Sequence, residues 1–265
     1  MARLSACALT AILLGITLAA CQRSLGRQVL MGERDEAVIL VHGLLRSSDS
    51  MADLAIHLRQ RGYTVVLVDY PSSTAPVEQL AAEHLAPAIA MSRSLGAQRI
   101  HIVGHSLGGI LARQHLAEHS MPDLGHVIML GSPNQGSEVV DAIGSWKLFK
   151  LLHGPVGDQL GTGPDSALNT LPAATWSCGV VAGHRSINWI NSSTMLPGPD
   201  DGKVTVARAS FEGVADSVVL PVSHPFLMRD RRTWYQIDHF LTHGRFDHER
   251  APTIDGFLAK RNDQR

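Results

Sequence analysis

The chain has 265 residues, of which 45% are apolar and 18% charged, with a formal net charge of −1. This is one α/β domain's worth of residues with apolar content for a sizeable core. The near-neutral balance and the lack of a basic stripe argue against nucleic acid as a partner, and no fixed-period repeat or low-complexity run points to a solenoid or a disordered chain.

Arg3 supplies a positive start, and Ala8 to Ala20 is an apolar run too short for a comfortable transmembrane span. The run ends Leu18-Ala19-Ala20-Cys21, which resembles the lipobox of bacterial lipoproteins. The resemblance implies a signal peptide over residues 1–20, cleavage before Cys21, and Cys21 as the acylated first residue of the mature chain. An ordinary secretory signal cut nearby is the alternative. One acyl chain holds weakly and two or more hold stably, at about 0.8 kcal/mol per buried methylene. Gln22, where an Asp would signal retention under the rule inferred from enteric lipoproteins, implies the outer membrane of a bacterial cell envelope. Residues 21–36 then read as a tether and residues 37–265 as the folded domain. Cys7 leaves with the signal and Cys21 is acylated, so Cys178 is left without a disulfide partner and is expected to be a buried, inert thiol.

Ala37 to Val41 is a continuous apolar run, as expected of a strand covered on both faces, and it leads into His42-Gly43-Leu44. Met51 to Arg61 is helical, and Thr64 to Val68 is a second buried strand. Val77 to Leu95 reads as a helix that Pro87 should kink or divide. Ile100 to Val103 and His126 to Leu130 are further strands, with a helix from Ile110 to His119 between them. From Asn134 to Pro172 the alternation stops. This cap-like insertion carries Trp146, Leu148, Phe149, Leu151 and Leu152, either the core of an extra helix or a cap that meets substrate. Cys178 to Gly183 and Ser217 to Leu220 are the last strands, and a closing helix runs from about Arg229 to His243. Strands alternating with helices predict a mostly parallel sheet flanked by helices, with right-handed crossovers and a site at the carboxyl ends of the strands.

Gly104-His105-Ser106-Leu107-Gly108 lies between a β-branched run and a helical one. Strand, sharp turn and helix with serine at the turn is the nucleophile-elbow pattern, and Ser106 is the candidate nucleophile. A serine hydroxyl needs a base within reach, and the base needs an orienting carboxylate. Of the downstream histidines, His224 alone lies between the final strand and the final helix. Asp201 opens Asp-Gly-Lys-Val in a loop one strand earlier, with Asp200 as its adjacent competitor. Two backbone N–H groups must meet the developing oxyanion. Leu107 follows the nucleophile and Leu44 lies in the loop after an early strand, so these two are the candidate donors. His115 to His119 matches His-x-x-Glu-His, a zinc-peptidase pattern, but no third ligand is evident and two surface histidines explain it better.

Val41-His42-Gly43, Gly104-His105-Ser106-Leu107-Gly108-Gly109, Leu130-Gly131-Ser132-Pro133, Asp201-Gly202-Lys203-Val204 and Ser223-His224-Pro225 occur in that order. From about Ala37 to Phe246 the chain resembles the bacterial lipase and esterase branch of the α/β-hydrolase superfamily. The resemblance implies the α/β-hydrolase fold and hydrolysis of a carboxylic ester, possible lipids included, through an acyl-enzyme with no cofactor. Some lipases hold a structural calcium near the acid; no ligand set beyond Asp200 is seen, and no metal is expected. An acyltransferase or thioesterase with the same triad is one alternative reading, and a membrane-tethered binding protein that kept only the fold is another. Oligomeric state is not legible in the sequence.

Overall fold

The structure, a computed structural model, describes residues 27–143, 154–157, 159–163, 166–186, 196 and 198–251. Residues 1–26, with the expected signal peptide and Cys21, lie outside the described residues. So do residues 144–153, where the insertion carries Trp146, Leu148, Phe149, Leu151 and Leu152.

Seven strands form one sheet: β1 (Arg27–Leu30), β2 (Glu36–Val41), β3 (Thr64–Val68), β4 (Arg99–His105), β5 (Leu124–Leu130), β6 (Cys178–Gly183) and β7 (Asp216–Leu220). Their order is β1-β3-β2-β4-β5-β6-β7. β1 is antiparallel to β3, and every other pairing is parallel. β3 lies on one side of β2 and β4 on the other, so the winding reverses between β2 and β4. A crevice opens outside the carboxyl ends of the strands at such a reversal, and the segments following β2 and β4 are His42-Gly43-Leu44 and Ser106.

The helices are α1 (Ala52–Gln60), α2 (Val77–Leu80), α3 (Ala86–Ser94), α4 (Leu107–Glu118), α5 (Glu138–Ile143), α6 (Ala167–Thr170), α7 (Val206–Ala209) and α8 (Arg231–His243). Alternate residues of each strand point to opposite faces, which splits the core in two. Val38, Leu40, Val103 and Ile128 pack with Leu54, Leu58, Ile237 and Phe240 of α1 and α8. Ile39, Val41, Ile102 and Met129 pack with Leu80, Ile89, Ile110 and Leu111 of α2 to α4. Each such buried aliphatic side chain contributes about 1.5–3 kcal/mol relative to exposure. Cys178 is buried on β6, and burial pushes its thiol up, away from the reactive thiolate.

Pro87 divides its helix, as its missing N–H requires. Between α2 and α3 the backbone widens into a π turn, Ala81–Leu85, and the Ala86 amide donates to Ala81 five residues back. The insertion adds α5 and α6 but no strand among the described residues. Its Val156, Leu160 and Leu168 are buried in the α2–α4 side of the core. Arg113 of α4 joins the two ends of the insertion, donating to the carbonyls of Asn134 at 2.8 Å and Leu171 at 2.9 Å.

Two expectations need correction. Arg27–Leu30, read as tether, is an edge strand whose apolar residues close the sheet over β3. The chain leaving it is held too: the Gly32 amide donates to Thr64 Oγ1 at 3.2 Å and the Glu33 amide to Gly62 at 2.9 Å. The histidines of His-x-x-Glu-His are not both on the surface. His115 is buried, and burial lowers its pKa to about 4, while His119 is exposed and stacks on it with centroids 4.5 Å apart.

Candidate active site

β4 ends at His105, α4 begins at Leu107, and Ser106 alone makes the turn with φ 53° and ψ −118°. A non-glycine residue in this region is strained by about 1–3 kcal/mol. The strain is held from both sides. The Ser106 amide donates to the Leu130 carbonyl at 2.8 Å, and the Gly109 amide donates to the Ser106 carbonyl at 3.1 Å. Strand and helix approach so closely that a Cβ on Gly104 would collide with the Gly108–Gly109 backbone, and one on Gly108 with the carbonyl of Val41.

Asp201 and His224 come from loops after β6 and β7, and the fold joins them. His224 Nδ1 donates to Asp201 Oδ2 at 2.8 Å, with both residues buried. Asp201 Oδ1 accepts from the Lys203 and Val204 amides at 3.0 and 2.9 Å, and the His224 amide donates to the Asp201 carbonyl at 2.9 Å. The carboxylate is therefore fixed by its own loop before it meets the imidazole. Asp200 Oδ1 instead accepts from the Gly202 amide at 2.7 Å, bracing the turn. Of the two adjacent carboxylates, Asp201 is the one on His224.

The loop after β2 lies against the elbow. A Cβ on Gly43 would come 3.1 Å from Ser106 Cβ and 2.9 Å from His105 Nδ1. His42 Nδ1 lies 2.9 Å from the Gly43 carbonyl, and its Nε2 accepts from the Tyr70 amide at 3.3 Å. An accepting Nε2 requires the neutral ring with its proton on Nδ1. Burial also favours that form, lowering the His42 pKa against the opposing pull of the Gly43 bond. Tyr70 stacks on His42 at 4.2 Å, and its hydroxyl donates to the His42 carbonyl at 2.7 Å. The Gly43 carbonyl and the Leu44 N–H belong to one planar peptide unit. Holding the carbonyl therefore sets the direction of the Leu44 N–H. Leu107, the other candidate donor, opens α4, where the first N–H groups have no partner within the helix and favour negative charge.

Several contributors were missed in the sequence. His105 Nε2 donates to the His224 carbonyl at 3.0 Å, and burial holds its ring well below the usual histidine pKa. Gly131, with φ 58°, passes beneath the pair, where a Cβ would press to 3.0 Å from Asp201 Oδ2 and 3.2 Å from His224 Nδ1. Gly131 entered the sequence reading only within the stretch Leu130-Gly131-Ser132-Pro133, with no role of its own. His105 lay inside the elbow motif, but its partner is 119 positions away. Among the described residues, no group of three or more His, Cys, Asp or Glu is arranged to hold a metal ion.

A seven-stranded sheet of this order, with the strained serine after β4, matches a known architecture: residues 36–159 fit the family model of the alpha/beta hydrolase fold. The chain has the α/β-hydrolase fold. Several solved structures resemble it at low sequence identity. The mature lipase BlEst2 of Bacillus licheniformis is 18% identical, with a TM-score of 0.63, over 82% of this chain and 97% of that one. Phospholipase PlaB of Legionella pneumophila is 22% identical, with a TM-score of 0.58, over 71% of this chain and 53% of the phospholipase. The esterase EaEST of Exiguobacterium antarcticum is 14% identical, with a TM-score of 0.52, over 82% of this chain and 94% of that one. No curated protein matches the chain.

Proposed function

We propose that the chain is a serine hydrolase that cleaves carboxylic esters. The observation that carries this reading is the buried Asp201–His224 hydrogen bond of 2.8 Å, at the sheet end where Ser106 is held at φ 53°. The lipase, phospholipase and esterase among the solved structures of this fold support it. With Nδ1 of His224 committed to Asp201, Nε2 is the nitrogen free to take a proton. His224 takes the Ser106 hydroxyl proton as Oγ attacks the ester carbonyl. The amides of Leu44 and Leu107 bind the oxyanion. The tetrahedral intermediate collapses, the C–O bond breaks, and His224 passes its proton to the leaving alcohol. Water then attacks the acyl-Ser106 ester by the same route, releasing the acid and restoring the hydroxyl. Asp201 stabilises the imidazolium in both halves and gives up no proton.

The sequence supports a place for this chemistry as well. By its lipobox-like Leu18-Ala19-Ala20-Cys21, the mature protein is held on a bacterial envelope membrane by acylated Cys21, with Gln22 favouring the outer membrane.

A panel of p-nitrophenyl esters of rising acyl length, with a fluorophosphonate probe, tests the activity. Hydrolysis and labelling should both be lost in Ser106→Ala, with turnover falling about 10⁴-fold or more. Turnover near wild type in purified Ser106→Ala, or a wild-type protein that neither labels nor hydrolyses any ester, would overturn the reading.

A further inference from the structure

We infer that the protein sits on its membrane with the Ser106 end of the sheet facing the bilayer, and that exposed Leu45 and Phe226 are its points of contact with the lipid. The inference rests on the proposed anchor at Cys21 and concerns how that anchor orients the domain.

The first argument is the length of the leash. Six positions separate Cys21 from Arg27, so their Cα atoms are at most about 22 Å apart whatever the conformation between them. Arg27 is already in the sheet, so the tether is far shorter than the distance to residue 37 suggested.

The second is where the leash ends. β1 is antiparallel to its neighbour, and its first residue therefore pairs with the last residue of β3, Arg27 with Val68. Val68 pairs with Val41, the end of β2, and Val41 pairs with Gly104, two residues before Ser106. Arg27, Val68, Val41 and Gly104 form one row across four strands. Three strand spacings of about 4.8 Å put Arg27 roughly 14 Å from Gly104. A parallel first strand would have delivered the anchor to the opposite end of the sheet.

The third is the surface at that end. Four large apolar side chains are conspicuously exposed among the described residues: Met31, Leu45, Ile56 and Phe226. Leu45, 53% exposed, follows β2 in the loop that carries the Leu44 amide, and Phe226, 49% exposed, lies two residues after His224. Leu45 has φ 56°, and its amide donates to Ser72 Oγ at 2.9 Å, so a strained, tied loop holds this side chain in solvent. Arg46 beside it is exposed, and Arg23 lies within the leash, which suits an anionic lipid surface. Met31 serves as the internal contrast. It is also 53% exposed, but it follows the other end of β1, where Leu30 pairs with Val65 near the start of β3.

The test uses the acylated full-length lipoprotein in vesicles of phosphatidylethanolamine and phosphatidylglycerol. Leu45→Cys, Phe226→Cys and Met31→Cys are each labelled with an environment-sensitive fluorophore; buried Cys178 does not compete. Arg46→Cys reads the same rim if the Leu45 variant does not fold. Iodide quenching should be several-fold weaker at positions 45 and 226 than at 31, with a blue shift at the first two only. In the soluble Cys21→Ser form all three should quench alike. Equal quenching at all three positions in protein that is acylated and vesicle-bound would overturn the orientation and leave the anchor standing. A native N-terminus shown by mass spectrometry to be unacylated would remove the anchor and the orientation together. Neither result touches the esterase reading, which soluble substrates test separately.

Discussion

His105 donates from Nε2 to the main-chain carbonyl of His224 across 3.0 Å, so the residue beside the proposed nucleophile holds the backbone of the proposed base. Its other ring nitrogen, Nδ1, is buried without a hydrogen-bond partner and faces the backbone of Gly43. One neutral imidazole therefore spaces the elbow, the base loop and the loop after β2. Removing it should misplace reacting groups without removing any of them. His105→Leu is expected to lower kcat by up to about 100-fold with KM little changed. His105→Gln, whose amide nitrogen reaches toward the Nε2 position, should recover most of the loss. Steady-state kinetics on a soluble ester checks both, and a Gln variant no better than Leu would show that the hydrogen bond is not what matters.

The adjacent carboxylates should separate cleanly. Asp201→Asn removes the charge that meets His224 and should lower turnover about 10⁴-fold. Asp200→Asn keeps an oxygen that can accept from Gly202, and it should stay within about tenfold of wild type. The reverse pattern in the same assay would mean that Asp200 is the orienting acid.

Tyr70→Phe deletes the 2.7 Å bond to the His42 carbonyl and leaves the stacked ring in place. The expected loss of stability is about 1 kcal/mol by urea denaturation. Because His42 sets the Gly43–Leu44 peptide, kcat should also fall, by less than the 10²- to 10³-fold typical of deleting an oxyanion donor outright. A stability loss with kcat unchanged would separate the His42–Tyr70 pair from catalysis.

Buried histidines should make the protein acid-sensitive well above the carboxylate range. Burial lowers the pKa of His101 to about 3 and that of His115 to about 4, and it lowers those of His42, His105, His126 and His184. His101 Nδ1 accepts from the His126 amide at 2.9 Å, which requires a neutral ring, although Glu36 lies 3.4 Å from Nε2. As pH falls below about 6.5 the unfolded chain binds protons at these residues and the folded chain does not, so acid favours unfolding. The penalty is absent above about pH 7, and for His101 and His115 it grows as pH falls toward their folded values of about 3 and about 4. The urea midpoint should drop between about pH 7.5 and pH 5, before carboxylates such as Asp123 and Asp230, held below their usual range by Arg93 and Arg232, begin to titrate. His101→Asn, which keeps an acceptor for the His126 amide, should flatten that slope. A midpoint independent of pH over this interval would contradict the burial argument.

The mostly parallel sheet and its crossovers were legible along the chain. Unbroken apolar runs such as Ala37 to Val41 can be strands only if both faces are covered, and helical stretches between them force crossovers. The sequence also marked the elbow, because Gly104, Ser106 and Gly108 are fixed by a clash between a strand and the helix that directly follows it. These are local constraints, written in neighbouring residues. Tertiary structure alone decided what depends on distant partners. The β1 pairing recruits a short, polar-flanked segment that carries no periodic signal of its own. The sequence favoured Asp201 over its neighbour Asp200, but that Asp201 meets His224 while Asp200 turns to the Gly202 amide depends on which side of one loop each carboxylate faces. The clamp of Tyr70 on His42 and of His105 on His224 spans 28 and 119 positions. Hydrogen bonds of that kind leave no pattern along the chain, since their partners meet only once the sheet has brought the ends of its strands together.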